Sequence, residues 1–250
     1  LRKFDHFIIT QFNVKFRWVR NAAVGKIIKG DKPPDEKWMN HRWELFDKYC
    51  YPSIVSQKNQ NFKWLVFFDK EGTDLDRLKK YKRMLPIVLE KYKVWTPDIV
   101  MNNVLSLTKK PWVITSRLDN DDCYAFDYIG RVQQYFDEKQ KIVNFIDGYT
   151  YDTRKKIVTH YKYNTINTFL SVIEPVIGNK IKTCWRTNNY DMRKPFNNQI
   201  RVFGGSTSPL DGMWMRTIHG KNADNEMKGK RVRDDVLKRF TVDFGKGANK

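Results

Sequence analysis

Trp112-Val113-Ile114-Thr115-Ser116-Arg117-Leu118-Asp119-Asn120-Asp121-Asp122 is the stretch on which the fold turns. Residues 112–118 have the apolar and β-branched character of a buried strand, and that strand runs straight into three carboxylates within four residues. Carboxylates this close repel and raise one another's pKa unless a cation sits among them. In open α/β sheets, ligands collect outside the carboxyl ends of the strands. An acidic cluster at such an end therefore points to a hard divalent ion, Mn²⁺ or Mg²⁺. Such an ion takes one or two carboxylates and completes its shell with phosphate oxygens and water. The competing reading is a helix N-terminus, where acids are also favoured. Asp122 alone satisfies that role; three acids with Arg117 just ahead of them exceed it.

On either side of this stretch, strand and helix signals alternate. Phe4 to Thr10 and Phe62 to Phe68 are short apolar runs expected as buried strands. Trp43, Phe46 and Cys50 fall at helical spacing and predict a helix up to Tyr51-Pro52. Thr73 with Asp76 has the spacing of a capping box, and Leu75, Leu78, Leu85 and Leu89 then predict one helical face, bent at Pro86. Phe126, Ile129, Val132 and Phe136 predict a helix after the acids, and Ile142 to Ile146 a further strand. Tyr149 to Tyr163 reads as a hairpin turning near Arg154-Lys155-Lys156, and Asp234 to Phe240 as a late helix. Strands alternating with helices of this length predict an α/β fold with a mostly parallel central sheet.

The chain has 250 residues, 40% of them hydrophobic, which suffices for one large α/β domain with a packed core. No apolar run approaches the roughly 20 residues that span a bilayer. Leu1 to His6 carries an acid and a histidine where a signal peptide needs an apolar stretch. Cys50, Cys123 and Cys184 are far apart with no C-x-x-C spacing, which fits reduced thiols in a cytoplasmic compartment better than a disulfide framework or a zinc site. The formal net charge of +19 suits nucleic acid, an anionic membrane face or a phosphorylated small substrate as partner, or serves solubility alone. The basic residues are spread along the chain and not gathered in one arm, so no stable nucleic-acid partner is expected.

At Asp119-Asn120-Asp121 a resemblance enters: a strand-end D-x-D is a motif of the GT-A glycosyltransferases. Pro52-Ser53-Ile54-Val55-Ser56-Gln57, the run Asn61 to Asp69 and Gly72-Thr73-Asp74 are similar to the N-terminal signature of family 2 glycosyltransferases. More narrowly, His6 to Asn13, Ser116 to Asp122 and His219-Gly220-Lys221-Asn222 together resemble a family of rhamnosyltransferases. The likeness covers roughly residues 4 to 222. It implies a Rossmann-like GT-A fold in one continuous domain. Residues 1–148 would bind the nucleotide-sugar donor, and 149–250 would bind the acceptor and supply a basic C-terminal segment. It also implies hexosyl transfer, rhamnose included, from a UDP- or dTDP-linked sugar to a glycan or other hydroxyl acceptor.

By the same resemblance, Thr10 and the loop after it line the nucleotide pocket, and Asp69 accepts a hydrogen bond from the pyrimidine imide N–H. Asp69 read without the resemblance is the cap of a turn. Arg117 pairs with the carboxylates or with the diphosphate, for either of which its planar fork is suited. Asp119 contacts the ribose or the metal. Asp121 is the main metal ligand, Asp122 the second, and His219 completes the shell. Asp69-Lys70-Glu71-Gly72 departs from family 2 in lacking a second adjacent Asp, which leaves the ribose contact open.

An inverting transfer needs a carboxylate that takes the acceptor's proton. Glu174, Asp191 and Asp211 are the candidates, Glu174 foremost because it ends the apolar run Phe169 to Ile173, where burial raises a pKa. Trp185 and Trp214 are either sugar platforms or core. Two other classes compete: a basic nucleic-acid-binding protein, and a metal-dependent nucleotidyl- or phosphotransferase. The first leaves three acids at a strand end unexplained, since they repel phosphates without a metal. The second lacks a G-x-x-x-x-G-K-[ST] loop of the P-loop kind.

Overall fold

The computed structural model describes residues 2–14, 35–90, 95–163, 165–185, 200–203, 211–222 and 224–244. Asp191 and Gly204-Gly205-Ser206 lie outside them. Among the described residues no helix is long and apolar enough to cross a membrane.

The α/β class and the mostly parallel central sheet are observed. Strand β1 (Phe4–Gln11) lies between β2 (Lys63–Asp69) and β4 (Trp112–Arg117), parallel to both. Outside them lie β3 (Met84–Leu89) on one flank and β9 (Ser171–Pro175), β6 (Lys141–Phe145) and β10 (Ile200–Phe203) on the other. The sheet has seven strands in the order β10-β6-β9-β4-β1-β2-β3, and of these β9 alone runs antiparallel to its neighbours. A second sheet of five strands joins β5 (Cys123–Tyr124), β7 (Asp147–Asp152), β8 (Ile157–Lys162), β11 (Trp214–Ile218) and β12 (Lys230–Arg231) in the order β12-β8-β7-β11-β5. Strands from both sides of residue 148 enter each sheet.

The period of two in the strands sorts the core. Ile8 of β1 and Phe12 just after it pack on one face with Trp64, Val66 and Phe68 of β2. Phe7 and Ile9 pack on the other with Leu65, Phe67, Val100 and Val104. The last two belong to α4 (Pro97–Leu107), which Thr96 caps. A continuous helical rod covers the first face: α1 (Glu36–Leu45), a π-helical turn over Phe46–Cys50, and α2 (Tyr51–Val55). The rod serves two cores. Trp43, Phe46, Cys50 and Ile54 pack on the large sheet, while Leu45 and Tyr49 join Tyr149, Tyr151, Met215 and Phe240 on the second. All three cysteines are buried and unpaired.

The helix expected over Leu75 to Leu89 is not there. One turn, α3 (Leu75–Leu78), is capped by Asp74 and not Thr73, and the chain then enters β3. Leucines three and seven apart fit a helix, but here β2 supplies a parallel partner, with Val66 opposite Pro86. Proline is tolerated because β3 is an edge strand and needs no second hydrogen-bonded neighbour. The helix after the acids is short, α5 (Tyr128–Gln133), and Asp234–Phe240 is a 3-10 helix. The 149–163 hairpin is present as β7 and β8, with Lys156 at φ 56° in its turn.

Candidate functional site

From β1 the chain moves to β2 on one side, and β4 lies on the other. The carboxyl ends of β1 and β4 are therefore a topological switch point, where a crevice forms. The acidic stretch is stitched across it. Leu118 N donates to Ile9 O (3.1 Å), Asn120 Nδ2 donates to Phe12 O (2.8 Å), and Phe12 N donates to Phe67 O (2.9 Å). The ends of β1, β2 and β4 are thus one rigid ledge.

Asp121 is the hub of that ledge. Its Oδ2 lies 3.0 Å from His219 Nε2 and accepts from Arg42 Nη1 at 2.6 Å and from Asn222 Nδ2 at 3.5 Å. Behind His219, its Nδ1 is 3.1 Å from Nε2 of His41. Burial pushes the Asp121 carboxyl up, but the Arg42 charge and the His219 hydrogen bond outweigh it and bring the pKa to about 2. Burial and the charges of Lys221, His219 and Arg42 lower that of His41. His219 is presented by the end of β11. Gly220 turns the chain at φ 87°, so that Asn222 Oδ1 accepts from His219 N at 2.9 Å.

A carboxylate and an imidazole with donor atoms 3.0 Å apart have the spacing of two adjacent corners of an octahedral ion whose donors lie at about 2.1 Å. A guanidinium already stands on the same oxygen, so the place attracts cations. The pair therefore fits a Mg²⁺- or Mn²⁺-like ion held by two protein groups, the rest of its shell left to phosphate and water. Among the described residues no third His, Cys, Asp or Glu is placed to join them as a metal ligand; His41 stands behind His219, on its other ring nitrogen. Asp122, expected as the second ligand, faces the other way: its Oδ1 accepts from Thr217 N at 2.9 Å. Burial and the nearby Asp121 and Asp119 charges push its carboxyl well up. It anchors β11 to the acidic turn, together with Thr217 Oγ1 donating to Asp121 O at 2.7 Å.

Asp119 is the most open of the three acids and accepts from Arg117 Nε at 3.3 Å. Arg117 lies over the Trp185 ring at 3.9 Å, and Trp185 meets Trp95 edge-on. Trp185 is thus the floor under Arg117. Trp214 is core: fully buried, stacked on Phe169 and donating to Phe145 O at 2.7 Å.

Asp69 ends β2 on the same ledge. Its Oδ1 accepts from Glu71 N at 2.9 Å, which caps the turn. Its backbone is pinned by Asn13 Oδ1, which accepts from Asp69 N, and by Thr73 Oγ1, which donates to Asp69 O. The other carboxylate oxygen, Oδ2, is buried with no partner among the described residues. An unpaired buried carboxylate oxygen is costly unless something donates to it. Thr10, expected in the nucleotide pocket, is fully buried and its hydroxyl accepts from Trp64 Nε1 at 2.9 Å, so its side chain belongs to the core.

Of the expected catalytic carboxylates, the two among the described residues, Glu174 and Asp211, lie away from this ledge. Glu174 lies opposite Val113 on antiparallel β9, four residues from Arg117, so about 13 Å back along the sheet from the carboxyl ends at ~3.3 Å per residue. It is 1% exposed and its two oxygens accept from Lys182 N and Thr183 N, both at 2.7 Å. Burial raises its pKa to about 7 against those two amides. It binds a loop to the sheet, and the apolar run that singled it out is a strand. Asp211 sits before β11, at the end opposite His219, and pairs with Arg239 at 3.6 Å. Asp191 lies outside the described residues.

Arg42 and His41 were not legible as site residues. The helix that carries them balances Lys37 and Arg42 with Glu36 and Glu44 and gives no local sign of a site, and 79 residues separate Arg42 from Asp121.

No curated protein matches the chain significantly. Among solved structures, TarS 1-349 of S. aureus is 11% identical, with 85% of this chain and 60% of that one covered at a TM-score of 0.45. HddC from Yersinia pseudotuberculosis is 14% identical (80% and 89% covered, TM-score 0.42). The inositol-1-phosphate CTP transferase from T. maritima is 15% identical (86% and 89%, TM-score 0.41). The chain spans 60% of the TarS segment's length. At these TM-scores such likenesses carry no argument about activity. A family model described as "Putative rhamnosyl transferase" matches residues 34–231, and the chain belongs to that family.

Proposed function

We propose that this chain transfers a sugar, rhamnose or another hexose, from a pyrimidine nucleoside-diphosphate donor to a hydroxyl acceptor. The observation that carries the proposal is the unpartnered Asp69 Oδ2 on the same ledge as the Asp121–His219 pair. β2 and β4 flank β1, so their ends stand about two strand spacings apart, roughly 10 Å. A nucleoside diphosphate bridges such a gap from base to phosphate. Asp69 Oδ2 accepts the one imide N–H that uracil and thymine share. Asp119 takes the ribose, and Arg117 and Arg42 face the diphosphate.

Asp121 and His219 would hold a divalent ion, which supplies Lewis-acid stabilisation of the departing diphosphate. His41 orients His219 from behind, as outer-shell groups do for metal-bound histidines. Asp122 keeps β11, and with it His219, in register with the acidic turn. Glu174 and Asp211 stand away from the ledge, which leaves Asp191 as the proposed base for the acceptor hydroxyl.

The test is a panel of UDP-, dTDP- and GDP-sugars, rhamnosyl donors included, incubated with glycan acceptors in Mn²⁺, Mg²⁺ or EDTA. Products are read by mass spectrometry. Sugar transfer that EDTA stops is the expected result. Pyrophosphate release from a nucleoside triphosphate plus a sugar phosphate, with no sugar transfer, would reassign the site to nucleotidyl transfer.

A further inference from the structure

Arg42 is over-committed at one end and under-committed at the other. Its Nη1 donates to Asp121 Oδ2 at 2.6 Å and to Asn120 Oδ1 at 3.2 Å. Its Nε is buried and has no partner among the described residues. The guanidinium stacks over Trp38 at 5.1 Å and its side chain is 15% exposed. A structural arginine in a buried pair spends its donors on fixed acceptors, because each one left over costs desolvation. Here a buried donor is unspent, and the oxygen held by Nη1 is the one that faces His219.

From this geometry we infer that Arg42 is an exchangeable cation. In the free protein it balances Asp121. When a donor and a divalent cation enter, Arg42 yields Asp121 Oδ2 and turns its fork onto the donor's diphosphate, whose oxygens satisfy the donors left over. The inference rests on the donor site proposed above. It goes beyond that proposal in making metal and nucleotide binding interdependent. Arg42 competes with a divalent cation for one carboxylate oxygen, so the cation alone binds weakly. A diphosphate relieves the competition by giving Arg42 another anion. The two ligands then favour each other, and the coupling is reciprocal.

Arg42→Met keeps the stem over Trp38 and removes the charge. The measurements are Mn²⁺ binding without nucleotide, followed by electron paramagnetic resonance, and UDP binding by calorimetry with and without Mn²⁺. Melting curves with and without Mn²⁺ complete the set. The variant is expected to bind Mn²⁺ alone at least about tenfold more tightly than the wild type, and UDP in saturating Mn²⁺ about tenfold more weakly. Its melting temperature should rise more on adding Mn²⁺ than the wild type's, since Mn²⁺ replaces the missing charge beside Asp121. A folded variant with unchanged or weaker Mn²⁺ affinity overturns the exchange, even where the wild type binds UDP with Mn²⁺ normally. A wild type that binds no UDP under any condition instead sinks the donor site, and the exchange with it. If Arg42→Met does not fold, Arg42→Lys serves. It keeps the charge and loses the fork, so it should leave Mn²⁺ affinity near the wild-type value and weaken UDP. Undiminished UDP affinity in that variant refutes the role.

Discussion

Asp69→Asn separates the two roles of this carboxylate. The amide can keep its carbonyl oxygen toward Glu71 N, where Oδ1 now accepts at 2.9 Å, and so preserve the turn cap. Its NH₂ then replaces the buried Oδ2 that has no partner among the described residues. Without nucleotide, the change removes an uncompensated charge, so stability should rise by roughly 1 kcal/mol. For a chain of this length that is about 2–4 °C in Tm. With nucleotide, the same change turns an acceptor into a donor facing the imide N–H. A hydrogen bond to a charged acceptor contributes about 1.5–3 kcal/mol, so UDP affinity should fall by about one to two orders of magnitude. Calorimetric titration of UDP and thermal melts of the free protein read the two effects. A variant that melts lower and binds UDP as well as the wild type would show Asp69 to be a turn cap and nothing more.

Asp121→Asn should cut sugar transfer by at least about a hundredfold, the scale of losing a main electrostatic group, with circular dichroism unchanged; near-normal turnover would remove Asp121 from the chemistry. Glu174→Gln should leave sugar transfer at the wild-type level, and a collapse of kcat with intact UDP affinity would restore Glu174 as the base. Two buried groups set opposed pH slopes. Burial, with Arg2 nearby, lowers His6 from 6.5 to about 3, so its share of stability is complete above pH 6.5 and drains away as pH falls toward 3. Burial raises Glu174 from 4.5 to about 7, so its share is complete below pH 4.5 and is lost as pH rises to 7. Each slope approaches about 1.4 kcal/mol per pH unit, and between pH 4.5 and 6.5 they nearly cancel. Relative to the wild type, whose own slope also includes Asp122 and His41, urea unfolding should show a His6→Asn variant that loses stability as pH rises and a Glu174→Gln variant that gains it; profiles parallel to the wild type's would contradict both assignments. Gly148→Ala should destabilise the second sheet by about 1–3 kcal/mol or more, because a Cβ there would stand 2.2 Å from the Trp214 ring; unchanged urea unfolding would show that the ring gives way freely.

The parallel sheet was legible because buried strands announce themselves locally, as Phe62 to Phe68 and Trp112 to Leu118 do. Leu75 to Leu89 misled because leucine spacing does not reveal whether a partner strand waits alongside, and Pro86 suggested a bent helix where it marks an edge. The α4 helix went unread although Thr96-Pro97-Asp98 carries cap, first-turn proline and first-turn acid. In the candidate site, Asp121 and His219 were named from the resemblance, and the structure sets them 3.0 Å apart. What the sequence could not convey is direction. Asp121 and Asp122 are neighbours, yet one faces His219 and the other the backbone of Thr217. Burial alone likewise cannot say at which end of a sheet a carboxylate such as Glu174 lies.

The π-helical turn at Phe46–Cys50 has a consequence for how this site tolerates change. Such a turn accommodates one residue more than an α-helix would, so it offsets the phase of everything N-terminal to it by about 100°. Downstream, Ile54 is locked into the large core; upstream, His41 and Arg42 reach the Asp121 corner. Removing the exposed Lys48 would let the rod relax to uniform pitch while its cores stayed hydrophobic, and would swing both basic side chains off the ledge. Length in this rod is therefore constrained more tightly than composition: many substitutions at its exposed positions can pass, but a single-residue deletion cannot.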